Sequence, residues 1–210
     1  MSTAPGLPRQ LPRQLPRQLP RLLLLTDRSQ LPPGRDLVET VTGCVAAGLE
    51  MVVVRELDLP DADRSDLVAR IAATGVLTIS AHTWLAPAAG VHLNATQTGL
   101  DARPAGFHGR SCHDDAEVRR AVGGGASYLT ISPVAASASK PGHGPAIGQA
   151  GVRQAVRLAG RVPVFALGGV DAGNAAGMRT AGAHGAAVMG AVMRADDPAS
   201  AVAGILEQVR

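Results

Sequence analysis

From residue 22 onward the chain alternates short apolar runs with stretches of helical period. Runs rich in Val, Leu and Ile predict strands over 22–25, 51–54, 76–79, 128–131, 162–167 and 186–189. A shorter strand is predicted over 90–93 and a weak one over 106–108. Apolar positions at three- and four-residue spacing predict helices over 36–47, 62–73, 114–122, 151–159, 172–181 and 198–209. Asp61 stands near the cap of the second helix. Around 85–89 only a turn or a short helix fits. Short strands separated by helical periods indicate βαβ units, and eight of them in one domain predict an α/β protein with a closed (β/α)8 TIM barrel. An open doubly wound sheet is the alternative. No Gly-x-Gly-x-x-Gly follows the first strand, which speaks against a dinucleotide-binding version.

Residues 7–21 break this pattern. They repeat Leu-Pro-Arg-Gln and end in Leu-Pro-Arg. A proline at every fourth residue excludes a helix interior and a central strand, so a disordered or polyproline-like appendage is expected over 1–21. The barrel is then expected over 22–210 as a single domain. At about 190 residues it is small beside the roughly 250 typical of the fold, so its loops must be short.

Composition changes this picture in two ways. Apolar residues make up 46% of the chain but aromatic ones only 2%, so the core must be built from Ala, Val, Leu and Ile, as suits buried parallel strands. The net charge of +3 belongs to residues 1–20, because Arg9, Arg13 and Arg17 lie there without an acidic residue. Of 20 basic side chains, 17 remain beyond residue 20 against 17 acidic ones, which argues against a nucleic-acid-binding surface. Cys44 and Cys112 have no metal-ligand spacing and form no disulfide framework, so a reducing cytoplasm is the default compartment. No apolar run approaches the ~20 residues a membrane helix needs.

In a barrel the chemistry collects where strands end and the following loops begin. Those points carry Thr26-Asp27-Arg28, Arg55-Glu56, Ser80-Ala81-His82, His92-Leu93-Asn94, Arg110-Ser111-Cys112-His113, Gly168-Gly169 and Gly190-Ala191. The glycines after strands seven and eight suit a phosphate, because backbone N–H groups can approach the anion there; they also suit plain tight turns. Arg55 can hold an anionic substrate with Glu56 orienting it, or the two can form a structural ion pair. His113 can move a proton near neutrality, or merely neighbour a helix cap. Cys112 reads as a small buried residue. None of His82, His92, His108, His143 and His184 has a spacing that argues for a metal ligand.

One loop stands out. Residues 132–145 follow a strand, carry few large apolar side chains, and contain Lys140, the only lysine in the chain. Such loops are usually functional or disordered. An arginine would serve equally on a solvated face, so the single lysine points to a site that wants a compact ammonium.

Together these motifs resemble the thiamine phosphate synthase/TenI family. The resemblance rests on Thr26-Asp27-Arg28, Val54-Arg55-Glu56, Val91-His92-Leu93, Gly109-Arg110-Ser111-Cys112-His113, Ser132-Pro133-Val134, Ser137-Ala138-Ser139-Lys140, Ala166-Leu167-Gly168-Gly169-Val170 with Asn174, and Val188-Met189-Gly190-Ala191-Val192, in that order. It implies a small phosphate-binding (β/α)8 barrel and one of two activities. A synthase joins hydroxymethylpyrimidine diphosphate to a thiazole phosphate with Mg²⁺. A TenI-type tautomerase isomerises a thiazole carboxylate phosphate with a histidine and no metal. Carried over by position, Gly168, Gly169, Gly190 and Ala191 would hold the thiazole phosphate through backbone N–H groups. Ser137, Ser139 and Lys140 would contact anionic oxygens and Arg55 a diphosphate, with Glu56 and Ser111 beside them. His113 falls on the tautomerase histidine.

The departures from that pattern concern the metal. Leu57 stands where the synthase has lysine, Ser80-Ala81 where it has Asn-Asp, and Gln97 where it has a later aspartate. Mg²⁺ is usually bound through one or two carboxylates alongside substrate phosphates. The expectation is therefore a metal-independent thiazole tautomerase, an isomerase, with His113 and Lys140 as catalytic residues and no cofactor. The alternatives are the Mg²⁺-dependent synthase, a transferase, and a barrel that binds thiazole or thiamine phosphate without turnover. The expected partner is a small phosphorylated thiazole, with self-association into a homo-oligomer allowed and neither nucleic acid nor membrane.

Overall fold

The strands are buried on both faces, and each face takes a different set of side chains. In β1 (Leu22–Leu25) Leu23 and Leu25 belong to one apolar cluster and Leu22 and Leu24 to another. In β2 (Met51–Val54) Met51 and Val53 join the first cluster and Val52 and Val54 the second. The first cluster, completed by Ile79, Ala81, Phe107, Tyr128, Phe165 and Ala187, fills the interior of a barrel; the second packs the outer strand faces against helices. This two-sided burial is why the strands read as unbroken apolar runs. The computed structural model describes residues 18–97, 106–136 and 145–210.

The remaining strands are β3 (Leu77–Ala81), β4 (Gly90–Leu93), β5 (His108–Cys112), β6 (Tyr128–Ile131), β7 (Val164–Leu167) and β8 (Gly185–Val188). Each pairs in parallel with its neighbours in chain order, and β1 closes on β8 with Leu22 opposite Ala186 and Leu24 opposite Val188. The expected (β/α)8 TIM barrel is therefore the fold. The helices are α1 (Leu37–Ala46), α2 (Asp61–Ala73), α3 (Asp115–Gly123), α4 (Gly148–Ala159), α5 (Ala175–Thr180), α6 (Gly190–Met193) and α7 (Pro198–Val209). Three of them begin at an aspartate whose carboxylate takes up a free first-turn N–H: Asp36 accepts from Glu39, Asp114 from Glu117 and Asp197 from Ser200. β3 and β4 are joined by a turn, as the spacing required.

One strand is displaced from its expected place. β5 lies at 108–112, not 106–108, so Arg110, Ser111 and Cys112 belong to the strand and not to the loop after it. Its middle residues are Gly, Arg and Ser, which a search for apolar runs passes over.

The floor of the barrel, at the N-terminal ends of the strands, is closed by the last repeat unit. Leu19 packs against the interior cluster. The Arg21 guanidinium donates to the His184 carbonyl at 2.8 Å and lies 3.2 Å from its Nδ1, while His184 Nε2 lies 2.9 Å from the Leu19 carbonyl. With Nε2–H donating, Nδ1 is free to accept from Arg21, which suits a neutral ring. Burial pushes this imidazole below its usual range. None of the described helices is long and apolar enough to cross a membrane.

Candidate active site

At the opposite end, the turns after β7 and β8 carry four backbone amides with no acceptor among the described residues: those of Gly168, Gly169, Gly190 and Ala191. Gly168 and Gly169 have φ of +89° and +69°, in the left-handed region. They are also pressed from above. The segment after β6 lies on them, with Val134 N–H donating to Leu167 O at 3.0 Å and Ala135 N–H to Gly168 O at 2.9 Å. A Cβ on Gly169 would overlap Ala136 O and lie 2.9 Å from the Ala135 carbonyl carbon. From below, Asn174 donates through Nδ2 to Gly169 O at 2.7 Å and accepts from Asp171 N–H at 3.1 Å. The turn is held on both sides while its amides stay unclaimed. That is the arrangement an anion site requires.

Two arginines lie beside it. Arg55 reaches across the mouth from the end of β2, its Nη1 2.9 Å from Met189 Sδ, and its own N–H donates to Thr26 Oγ1 at 3.0 Å. Arg194, which the sequence reading did not single out, folds its guanidinium over Gly190, where a Cβ would collide with it, and donates to Gln30 Oε1.

Glu56 does not orient Arg55. Its Oε2 accepts from Arg28 N–H at 3.1 Å and Nη1 at 3.3 Å, and Arg28 also grips Asp58 at 2.8 and 2.6 Å. The reason is strand parity. Arg55 continues the inward series of Met51 and Val53, so the next residue turns outward. Glu56 is 3% exposed and anchors the loop after β1, a structural role in place of the expected substrate contact.

Ser111 faces inward. Its Oγ lies 3.0 Å from His92 Nε2, and His92 Nδ1 lies 3.0 Å from the Tyr128 hydroxyl. The sequence reading gave His92 and Tyr128 no role. The available signal was their inward alternation on two strands that flank a glycine. His113 stands at the start of α3, half exposed, with its N–H donating to Glu117 Oε2 at 2.7 Å and its Nδ1 2.9 Å from the same oxygen. That carboxylate fixes the ring and leaves Nε2 without a described partner. Cys112 is buried, and desolvation pushes its thiol up to about 12, so it is inert as read. Ser137, Ser139 and Lys140 lie outside the described residues.

Among the described residues the carboxylates nearest the mouth are those of Asp27 and Glu56. Burial alone would raise Asp27, but hydrogen bonds from Ser29 and Gln30 win and hold it below the usual carboxylate range. Glu56 gives Oε2 to Arg28, while its buried Oε1 has no partner among the described residues. Ala81 brings no side-chain ligand atom, and Gln97 donates through Nε2 to His82 O at 2.7 Å while its buried Oε1 has no partner among the described residues. Among the described residues no three His, Cys, Asp or Glu side chains converge on a metal-sized site.

His92 is fully enclosed, and burial first, then the neighbouring cations, push its imidazole from 6.5 down to about 3. A base with a depressed folded pKa binds fewer protons folded than unfolded between those two values. Stability therefore rises with pH through that window and is lost as pH falls below about 6.5, by at most about 1.4 kcal/mol per pH unit from this group. Urea unfolding at pH 7, 6 and 5 is expected to show a steeper acid loss for the wild type than for His92→Gln. Parallel curves would contradict it.

A closed parallel barrel with a pair of unclaimed amide turns, basic side chains and inward hydroxyls at one mouth defines the class: a (β/α)8 barrel with its polar groups gathered where the strands end. A family model described as thiamine monophosphate synthase matches residues 22–192, and the chain belongs to that family of thiamine-biosynthesis enzymes. The thiamine-phosphate synthase of Salinispora arenicola is 36% identical over 202 residues, covering 89% of this chain and 95% of its own. That of Salinispora tropica is 42% identical over 147 residues, covering 67% and 70%. That of Prochlorococcus marinus MIT 9313 is 33% identical over 201 residues, and this chain spans 56% of its length. The thiamine phosphate pyrophosphorylase structure from Pyrococcus furiosus superposes with a TM-score of 0.78 at 24% identity, covering 90% of this chain and 95% of that one, which attests the fold.

Proposed function

We propose that this chain forms thiamine phosphate from a hydroxymethylpyrimidine diphosphate and a thiazole phosphate. The observation that carries this is the unclaimed amide cradle after β7 and β8 in a chain whose relatives, at 36% identity over nearly its whole length, are named for that reaction. The thiazole phosphate docks on the N–H groups of Gly168, Gly169, Gly190 and Ala191, with Arg194 beside them. Arg55, facing inward near the same turn, neutralises oxyanion charge, and Ser111 donates to the second substrate from the barrel interior. Lys140, Ser137 and Ser139 are expected to complete the anionic contacts.

A second reading is favoured by one specific observation: among the described residues, no three His, Cys, Asp or Glu side chains converge at this mouth to hold a metal. It is the tautomerase reading. His113, its Nδ1 held by Glu117, would carry a proton between ring positions of a thiazole carboxylate phosphate through Nε2. One set of assays separates the two. Both synthase substrates are incubated with and without Mg²⁺, and the thiazole carboxylate phosphate is followed alone, using wild type and His113→Asn. Thiamine phosphate formation that survives His113→Asn is the expected result. Isomerisation alone, lost by about 10²-fold or more in His113→Asn, would replace the first reading with the second. Binding without either turnover would leave a carrier.

A further inference from the structure

Three residues stand in one row across three strands. His92 on β4 is the register partner of Gly109 on β5, and Gly109 is the register partner of Tyr128 on β6. Neighbouring strands lie about 4.8 Å apart, so Tyr128 and His92 are two strand spacings apart at their backbones. They nevertheless touch, with ring centroids 5.5 Å apart, because the middle residue has no side chain. A Cβ on Gly109 would overlap Cζ, Cε1 and Cε2 of the Tyr128 ring. The phenol lies over the glycine and reaches the imidazole beyond it.

The directions of the hydrogen bonds follow from what is buried. Tyr128 is fully enclosed, and His92 Nδ1 is the acceptor its hydroxyl finds among the described residues. Leaving a buried O–H without an acceptor is costly, so the phenol donates and Nδ1 accepts. A neutral imidazole carries one N–H, which must then sit on Nε2, aimed at Ser111 Oγ. The Ser111 oxygen is thereby occupied as an acceptor and its own proton is left to point elsewhere. Beside it, Thr130 is the register partner of Ser111 and shares the inward face of Tyr128, and its hydroxyl is buried without a partner among the described residues. Two inward hydroxyls thus stand at one level of the barrel, one with a spare proton and one unmatched among the described residues.

We propose that Tyr128 and His92 are positioning residues that set Ser111 as a hydrogen-bond donor to the bound ligand, with Thr130 as its companion. The ligand group they select is an acceptor, an anionic oxygen or an unprotonated ring nitrogen, and a donor group at that depth is disfavoured. This rests on the proposed entry of the ligand at this mouth, but its core can be measured without any ligand.

The experiment has two arms. Long-range ¹H–¹⁵N correlation on histidine-labelled protein, with His92 assigned by its disappearance in His92→Gln, reads the tautomer. Nε2–H is expected in the wild type, and loss of that single form in Tyr128→Phe. An Nδ1–H ring in the wild type, or an unchanged ring in Tyr128→Phe, overturns the proposal. In the second arm thiamine phosphate is titrated calorimetrically into wild type, Tyr128→Phe, Ser111→Ala and the double variant. Tyr128→Phe is expected to weaken binding about five- to tenfold, and to have almost no further effect once Ser111 is Ala. Equal losses in both backgrounds would show that Tyr128 does not act through Ser111. If thiamine phosphate fails to bind the wild type, the functional reading falls, and the tautomer still decides this one. Should Tyr128→Phe not fold, the wild-type tautomer decides it.

Discussion

Gly169→Ala is expected to abolish binding of a phosphorylated ligand while leaving a destabilised but folded barrel. Two independent costs meet at this position. The backbone stands at φ +69°, where a Cβ crowds its own chain and costs roughly 1–2 kcal/mol. The new methyl would also overlap Ala136 O, and the segment it strikes cannot simply lift away. It is tied to the turn by Val134 N–H to Leu167 O and Ala135 N–H to Gly168 O. Overpacking against a held backbone adds roughly 1–3 kcal/mol, so a loss of about 3 kcal/mol in all is reasonable. In a chain of this size that lowers Tm by roughly 6–12 °C. The effect on binding is larger in proportion, because relief comes by turning the peptide that presents the amides. Each charge-assisted hydrogen bond lost costs about 1.5–3 kcal/mol, and two of them weaken the ligand by 10²-fold or more. Calorimetric titration of thiamine phosphate, well below the variant's Tm, reads the second effect apart from the first. Wild-type affinity in the variant would remove the amide cradle from the site.

The barrel was legible because its two-faced burial writes itself as short runs such as Leu22-Leu23-Leu24-Leu25 and Met51-Val52-Val53-Val54, with helical periods between them. The same rule hid β5. Its inward positions are Gly109, emptied for a neighbouring ring, and Ser111, which must be polar at the mouth, so nothing in that strand looks apolar from outside. The two amide turns proposed to take the anion were legible as glycines after the last two strands. Their second reason was not, since Gly169 is required as much by the Ala135-Ala136 backbone lying on it as by any ligand. Adjacent letters misled at Arg55-Glu56. Neighbours on a strand face opposite ways, and the partner of Glu56 is Arg28, brought in from the loop after another strand. Arg194 and the Tyr128–His92–Ser111 chain share one cause of invisibility. Each is a contact between elements far apart in sequence, set by barrel register, which no local pattern encodes.

Gly109→Ala is expected to be among the most damaging single methyls in the barrel interior. The ring it would strike belongs to a tyrosine with no exposed surface, wedged between Phe107 and Phe165 at centroid distances of 5.8 and 5.7 Å. Tyr128 has nowhere to go without displacing one of them or parting β5 from β6. A close-packed interior transmits such an insertion into backbone strain, and a loss of about 3 kcal/mol or more is expected, at the upper end of single-residue overpacking. The damage separates into two parts if the ring is then removed. In Gly109→Ala combined with Tyr128→Val, the new methyl fills part of the space the phenol left, so denaturant stability should recover by 1 kcal/mol or more over the single variant. Affinity for thiamine phosphate should not recover, because no hydroxyl remains to hold His92 and through it Ser111. Stability and affinity returning together would mean that Tyr128 serves only to fill the barrel, and that the row from β4 to β6 is packing and nothing more.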